Sequence, residues 1–280
     1  MTEFQKQVIE LVNQGKCISE IAKDLGRNKS SVSNVVRRFN LHPKKFLENS
    51  VFHQYFDEIN TELKAYFLGF FIADGCLNSD TPRCKGRFSL AIQEPDRIIL
   101  DVLKKELHST NPISIVDCQI GAKTRKPQAH FRWTSPYMRD VFNTKYKITS
   151  NKTKDVNFVF PLEAIDPKYI GAFVRGFIDG DGSFESHKGT FVPRIVGTSK
   201  TFLKQIGNIV NDNTGLVYKL YETKGKACTY YSLRWSANNN DKFNKIQKLF
   251  NFLYNNETIC LSRKKDKIVS YLEYRANQIK

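Results

Sequence analysis

The stretch GFIDGDGSF, Gly176 to Phe184, is written a second time 107 residues upstream as GFFIADGCL, Gly69 to Leu77. The two align without a gap. An internal repeat fixes the architecture as two copies of one unit, so it must be settled before any single element is read. From Thr61 the first copy runs as an apolar helix ending in ADG, a strand GRFSLAIQ, a helix DRIILDVLKKEL, strands ISIVDCQI and AHFRWTS, and a helix YMRDVFNTKY. The second runs as an apolar helix ending in GDG, a strand TFVPRIVGT, a helix KTFLKQIGNIVND, strands VYKLYET and YYSLRWSA, and a helix DKFNKIQKLFNFL. Both tryptophans of the chain fall at matching places, in FRWTS and LRWSA. The fold class this predicts is α+β, an αββαββα unit present twice, with one further helix over the tail TICLSRKKDKIVSYLEYRANQ.

The repeated segments also carry chemistry. Gly69 and Ala73 in one, Gly176 and Gly180 in the other, stand four apart and so share a helix face. A face without side chains lets two helix backbones approach closely, and that gain offsets the roughly 0.5–1 kcal/mol that a helix-interior glycine costs. Thr61 or Asn60 can cap the first helix, and Asp166 followed by Pro167 suits the start of the second. Each helix then ends in Asp-Gly, at Asp74 and Asp181. An acid at a helix C-terminus opposes the dipole, and two such ends side by side call for a cation. Hard oxygen ligands of this kind suit Mg²⁺, which is held by one or two carboxylates with water and phosphate completing the shell. One Asp-Gly alone is an ordinary helix-ending turn; two at equivalent places of a repeat are not.

Charge names the partner. Lys and Arg outnumber Asp and Glu 44 to 28, a formal net of +16, which points to a polyanion and first to nucleic acid. A membrane surface would need a basic amphipathic helix or an apolar span; the longest apolar run, Ala65 to Ala73, is about half of what a span requires. The opening MTEFQKQVIELV has two acids and no signal-type core, so secretion is not expected and the expected location is the cytoplasm. Six scattered cysteines suit a reducing compartment, and five isolated histidines argue against a zinc catalyst.

Residues 1–40 read as a separate all-helical unit. EFQKQVIELVNQG and ISEIAKDLG show helical spacing and stop at Gly15 and Gly26, and RNKSSVSNVVRRF follows with Asn28 as its N-cap. Burying Val32, Val35, Val36 and Phe39 leaves Lys29, Ser30, Ser33, Asn34, Arg37 and Arg38 outward, a small, polar and basic face suited to a DNA major groove. The pattern SxxEIAKxLGRxxSxVSxxxRRF resembles the helix-turn-helix of bacterial and phage DNA-binding proteins. Residues 41–60 lose periodicity and read as a linker, with a short helix at SVFHQYF whose aromatic residues dock on a neighbour.

FLGFFIADG (Phe67 to Gly75) and VRGFIDGDG (Val174 to Gly182) resemble the LAGLIDADG signature of homing endonucleases in their single-chain, two-motif form. The resemblance spans roughly residues 61 to 265 and implies halves at 61–160 and 161–280, related by a pseudo-twofold axis along the paired motif helices. It implies a monomer with an internal pseudo-dimer, whose two antiparallel sheets read a long double-stranded DNA site. It further implies Asp74 and Asp181 as catalytic, metal-holding acids, with the carbonyls of Ala73 and Gly180 offered to Mg²⁺ or Mn²⁺, and cleavage leaving short 3′ overhangs. The family places basic residues near the scissile phosphates, a role for which Arg132 and Arg234 are the candidates and Lys264 and Lys265 the alternatives. Arg87, Gln93, Lys188 and Arg194 are strand candidates for DNA contact, and Glu185 is a further acid near the site. The motif departs from the signature at Leu68 and Arg175, the latter suggesting a partly exposed face of the second helix, and at Ile72, where the second copy has Asp179. The same fold also serves transcription regulators and RNA splicing helpers, which stand as alternatives to an endonuclease.

Overall fold

The computed structural model describes residues 1–41, 51–78, 86–117, 119–120, 123–124, 126–150, 152, 155–187, 190–225, 228–236 and 239–279. The chain divides into two compact units, Met1–Ser50 and Val51–Lys280. In the first, three helices, α1 (Glu3–Asn13), α2 (Ile18–Asp24) and α3 (Lys29–Arg38), close on Val8, Val12, Ile21, Ala22, Val32 and Val35. Their ends follow from local chemistry. Thr2 forms a capping box with Gln5, Glu20 reaches back to the Cys17 amide at 2.8 Å, and the Asn28 side chain accepts from the Ser31 amide at 2.8 Å. Gly15 and Gly26 take the left-handed conformation at the two turns, φ +78° and +58°.

The second unit begins earlier than the expected linker allows. Val51, Tyr55, Phe56 and Ile59 are buried in its core, and 51–57 is a series of turns rather than a helix. The unit then repeats. α4 (Glu62–Asp74), β1 (Gly75–Leu77), β2 (Arg87–Gln93), α5 (Ile98–Glu106), β3 (Ile113–Val116), β6 (Gln128–Thr134) and α6 (Pro136–Thr144) form one copy, with a small hairpin β4–β5 (Gln119–Ile120, Lys123–Thr124) between β3 and β6. The predicted strand ISIVDCQI is therefore shortened to Ile113–Val116. α7 (Ile170–Asp181), β7 (Gly182–His187), β8 (Thr190–Gly197), α8 (Lys200–Thr214), β9 (Val217–Lys224), β10 (Thr229–Ser236) and α9 (Asn239–Tyr254) form the other, and α10 (Ser262–Ile279) follows. The sheets have matching antiparallel orders, β1-β2-β6-β3 and β7-β8-β10-β9. Trp133 and Trp235 occupy equivalent buried positions on β6 and β10.

α4 is buried on all sides from Ala65 to Ile72 and packs along α7. Thr61 caps α4 as expected, whereas Pro167–Tyr169 is a 3₁₀ turn that delays the start of α7 to Ile170. The bare faces meet reciprocally. A Cβ on Gly69 would stand 2.0 Å from the Phe173 carbonyl oxygen, and one on Gly176 would stand 2.0 Å from that of Tyr66. Tyr66 and Phe173 occupy the same place in the two motifs, so the contact obeys the twofold relation of the repeat. At the C-terminal end a Cβ on Gly180 would lie 2.2 Å from the Ala73 Cβ, leaving space for only one methyl in that pair.

Gly180→Ala is therefore expected to destabilise the second unit by about 1–3 kcal/mol. Adding Ala73→Gly should recover most of the loss. Urea melts of the two single variants and the double variant check the coupling, which vanishes if the losses simply add.

Candidate active site at the paired helix ends

Close packing brings the C-termini of α4 and α7 together, and each helix passes straight into a strand at Gly75 or Gly182. Asp74 and Asp181 are the last helical residues and both reach solvent. One cleft of about 180 Å³ joins Asp181 to Ile72, Ala73 and Lys152 above the rings of Phe158, Phe177 and Phe202. A second of about 220 Å³ joins Asp74 to Gly180, Asp179, Asp96 and Arg263. The arrangement is crossed: each acid shares its cleft with the residue that precedes the other acid.

Crowding by protein at the cleft floors raises both carboxyls above the usual aspartate range. For Asp74, Lys264 and Lys152 oppose the rise. For Asp181, burial and then the Asp74 charge push the group up to about 6, against Lys152 and Lys264. Each helix end also holds a lysine. Lys152 Nζ donates to the Ala73 carbonyl at 3.0 Å and to that of Ile72. Lys264 Nζ donates to Ile178 at 2.7 Å, Asp179 at 2.5 Å and Gly180 at 3.4 Å. These carbonyls belong to the last turns of α4 and α7, where intrahelical donors run out. Burial pushes both ammonium groups down to about 8, while the acids pull the other way. They are thus cations at neutral pH, supplied where the helix dipoles and acids concentrate negative potential.

Lys264 is one of the basic alternatives legible in the sequence; Lys152 is not among them. Lys152 lies in the aperiodic NKTKDVN; its available signal was position, trailing the last helix of copy one as Lys264 trails that of copy two. Arg132 and Arg234 do occupy matching strand positions, across from Ser89 and Arg194. Their contacts are with neighbouring sheet residues: Arg132 meets His130 Nδ1 at 3.2 Å, and Arg234 stacks over Tyr221. Lys265 pairs with Glu257, and Glu185 with Arg194 at 3.2 Å. Arg87 and Gln93 share the outward face of β2, opposite buried Phe88, Leu90 and Ile92. Lys188 lies outside the described residues. On α3, Lys29, Ser30, Asn34, Arg37 and Arg38 are exposed and Ser33 is half-buried.

Arg175 corrects the sequence reading. It is 1% exposed, not on an open face, because its guanidinium finds the Ile259 and Leu253 carbonyls and the Glu62 carboxylate. Asp179, also 1% exposed, accepts from Tyr66 Oη at 2.9 Å and the Leu261 amide at 2.8 Å.

The donor set fits a divalent ion of the magnesium type: two carboxylates and the main-chain oxygens of Ala73 and Gly180, all hard ligands, with lysine ammonium already drawn to those same carbonyls. Among the described residues no cluster of three or more His, Cys, Asp or Glu forms, so water and phosphate would complete any shell. No described helix is long and apolar enough to cross a membrane.

The raised Asp181 pKa has a definite sign. Its folded value of about 6 exceeds the unfolded 3.8, so its contribution favours the fold at low pH and is lost as pH rises through that interval. Asp181→Asn should therefore make the metal-free protein slightly more stable at pH 7, by about 1 kcal/mol or less after solvent screening. Thermal melts from pH 4 to 7 should show a flatter profile for the variant; a steeper one contradicts the assignment.

Two family models match the chain: a LAGLIDADG-like domain over residues 168–247 and a homeodomain-like domain over residues 5–42. No curated protein matches its sequence. Among solved structures, the homing endonuclease I-WcaI bound to its DNA recognition sequence is 13% identical, with a TM-score of 0.51 over 83% of this chain and 96% of that one. The N-terminal LAGLIDADG domain of WhiA gives 15% identity and a TM-score of 0.43 over 80% and 98%. I-DmoI in complex with DNA and Ca gives 16% and 0.42 over 68% and 89%. The chain thus carries a helix-turn-helix unit at its N-terminus, followed by a mixed α/β unit with the fold of a LAGLIDADG homing endonuclease.

Proposed function

We propose that this chain is a site-specific endonuclease that uses a divalent metal to cut both strands of duplex DNA. The observation that carries the reading is the crossed pair of clefts. Each holds one helix-ending aspartate and the residue that precedes the other, with a lysine bonded to that residue's carbonyl, so the site is doubled as the substrate's strands are; the second cleft adds Asp96, Asp179 and Arg263. The LAGLIDADG-like match over the second copy and the fold shared with I-WcaI, solved on its DNA recognition sequence, support it.

In this reading Asp74, Asp181 and the carbonyls of Ala73 and Gly180 hold Mg²⁺ or Mn²⁺. Such an ion polarises the phosphodiester and makes water a competent nucleophile at neutral pH. The protein's own residues do the rest. Asp74 and Asp181 anchor opposite sides of one interface, so the two reacting phosphates are positioned by a single rigid body. Lys152 and Lys264 place positive charge where charge develops on phosphate oxygens. Outward strand residues, including Arg87, Gln93, Arg132, Arg194 and Arg234, line the DNA. The α3 face of the N-terminal unit adds a second contact, the net charge of +16 supplies non-specific attraction, and the products carry short 3′ overhangs. The protein works as a monomer whose halves form an internal pseudo-dimer.

Incubating the protein with a randomised duplex library and Mg²⁺, then sequencing the ends, should return one defined site with staggered ends. On that duplex, Asp74→Asn and Asp181→Asn are each expected to lower double-strand cleavage by at least about 100-fold while binding persists. Binding without defined ends would instead favour a DNA-binding regulator. Removing residues 1–41 should weaken binding and reduce its salt dependence while leaving slow cutting measurable.

A further inference from the structure

The second motif helix carries two buried ionisable residues where its twin has hydrocarbon: Arg175 stands at the place of Leu68, and Asp179 at that of Ile72. Leu68 and Ile72 are themselves buried, so apolar side chains suffice to pack this position. A buried ion rarely improves on a well-packed hydrophobic residue in stability alone, which leaves its hydrogen-bonded partners as the thing to explain. Three of the five lie between the last turn of α9 and the start of α10, from Leu253 to Leu261. Arg175 Nη1 donates to the Leu253 carbonyl at 2.5 Å and Nε to that of Ile259 at 3.1 Å. Asp179 Oδ2 accepts from the Leu261 amide at 2.8 Å. α4 also holds both residues, through Glu62 for the guanidinium and the Tyr66 hydroxyl, which donates to the same Asp179 Oδ2.

Three main-chain points, one in the last turn of α9 and two in the connector to α10, are therefore tied to α7. The connector's last residue starts the next helix, because the Leu261 carbonyl accepts from the amides of Lys264 at 2.8 Å and Lys265 at 3.2 Å. Lys264, in the first turn of α10, is 5% exposed and aims its ammonium at the end of α7. In the first copy Lys152 has the corresponding task. Among the described residues, no side chain of α4 bonds to the stretch that carries it, as Leu68 and Ile72 have nothing to offer.

We propose that Arg175 and Asp179 are positioning residues that fix Lys264 at the Asp74 cleft. The two halves of the site are thereby held to different tolerances, and loss of this clamp impairs one DNA strand's cleavage more than the other's. The strand consequence rests on the endonuclease reading; the positioning itself does not.

The test has two arms on the full-length protein. In the first, brief acylation with an amine-reactive ester and mass spectrometry compares the labelling rates of individual lysines without DNA. Asp179→Ile, which installs the twin's residue, should speed labelling of Lys264 by about tenfold or more and leave Lys152 within about twofold. Asp179→Asn keeps an oxygen for the Leu261 amide and should preserve slow labelling. If Asp179→Ile does not fold, Arg175→Lys, which keeps the charge but loses the fork to two carbonyls, should show the same selective acceleration. In the second arm, a duplex recovered from the library selection is cut by each variant. Asp179→Ile should accumulate nicked duplex with the same strand left intact, whereas Asp179→Asn should go on to linear product. Equal acceleration of Lys152 and Lys264 in a folded variant, or equal slowing of both strands, overturns the proposal. A wild-type protein that cuts no duplex removes the endonuclease reading and leaves the labelling arm to decide the clamp.

Discussion

Everything in the larger unit depends on how closely α4 and α7 approach. Carbonyls of Tyr66 and Phe173 rest where side chains of Gly176 and Gly69 would be, and the Ala73–Gly180 pair holds one methyl between them. Backbone-to-backbone contact of this kind leaves no slack, because interiors packed at crystal density transmit small displacements instead of absorbing them. It also sets the separation of the helix ends. Both acids stand on the final residue of their helices, so their relation is a property of the interface and not of a loop.

That geometry creates an electrostatic difficulty which the chain resolves with its own cations. Two helix C-termini and two carboxylates converge, and Lys152 and Lys264 lie across the free carbonyls. The same negative potential that holds these ammonium groups would attract a divalent ion and, through it, a phosphate. Structure and proposed chemistry thus share one cause. The buried polar residues of α7 extend the logic: Arg175 and Asp179 tie down the chain that delivers Lys264, while the corresponding apolar residues of α4 pack and do no more.

Much of this was legible in the sequence because the signals were periodic or duplicated. Small residues four apart gave the helix interface; Asp-Gly repeated at equivalent places marked the acids; matching FRWTS and LRWSA segments gave equivalent strands. Asn28 and Thr61 revealed two helix starts because capping is local chemistry. What stayed hidden depends on long-range contact. Lys152 comes from a stretch without periodicity and meets α4 some 80 residues away. Arg175 looked like a sign of exposure because its partners, Leu253 and Ile259, are main-chain carbonyls that leave no trace in side-chain pattern. Val51 to Ile59 read as a linker because its aromatic residues follow turns, for which no simple repeat exists.

The proposed chemistry requires each half of the site to be assembled from both motif helices. Anomalous diffraction from Mn²⁺ in a complex with the selected duplex tests it most directly. Manganese density is expected within coordination distance of Asp74 and the Gly180 carbonyl, and likewise of Asp181 and the Ala73 carbonyl. Manganese bound to the acid and carbonyl of a single helix, or held away from both aspartates, would contradict it.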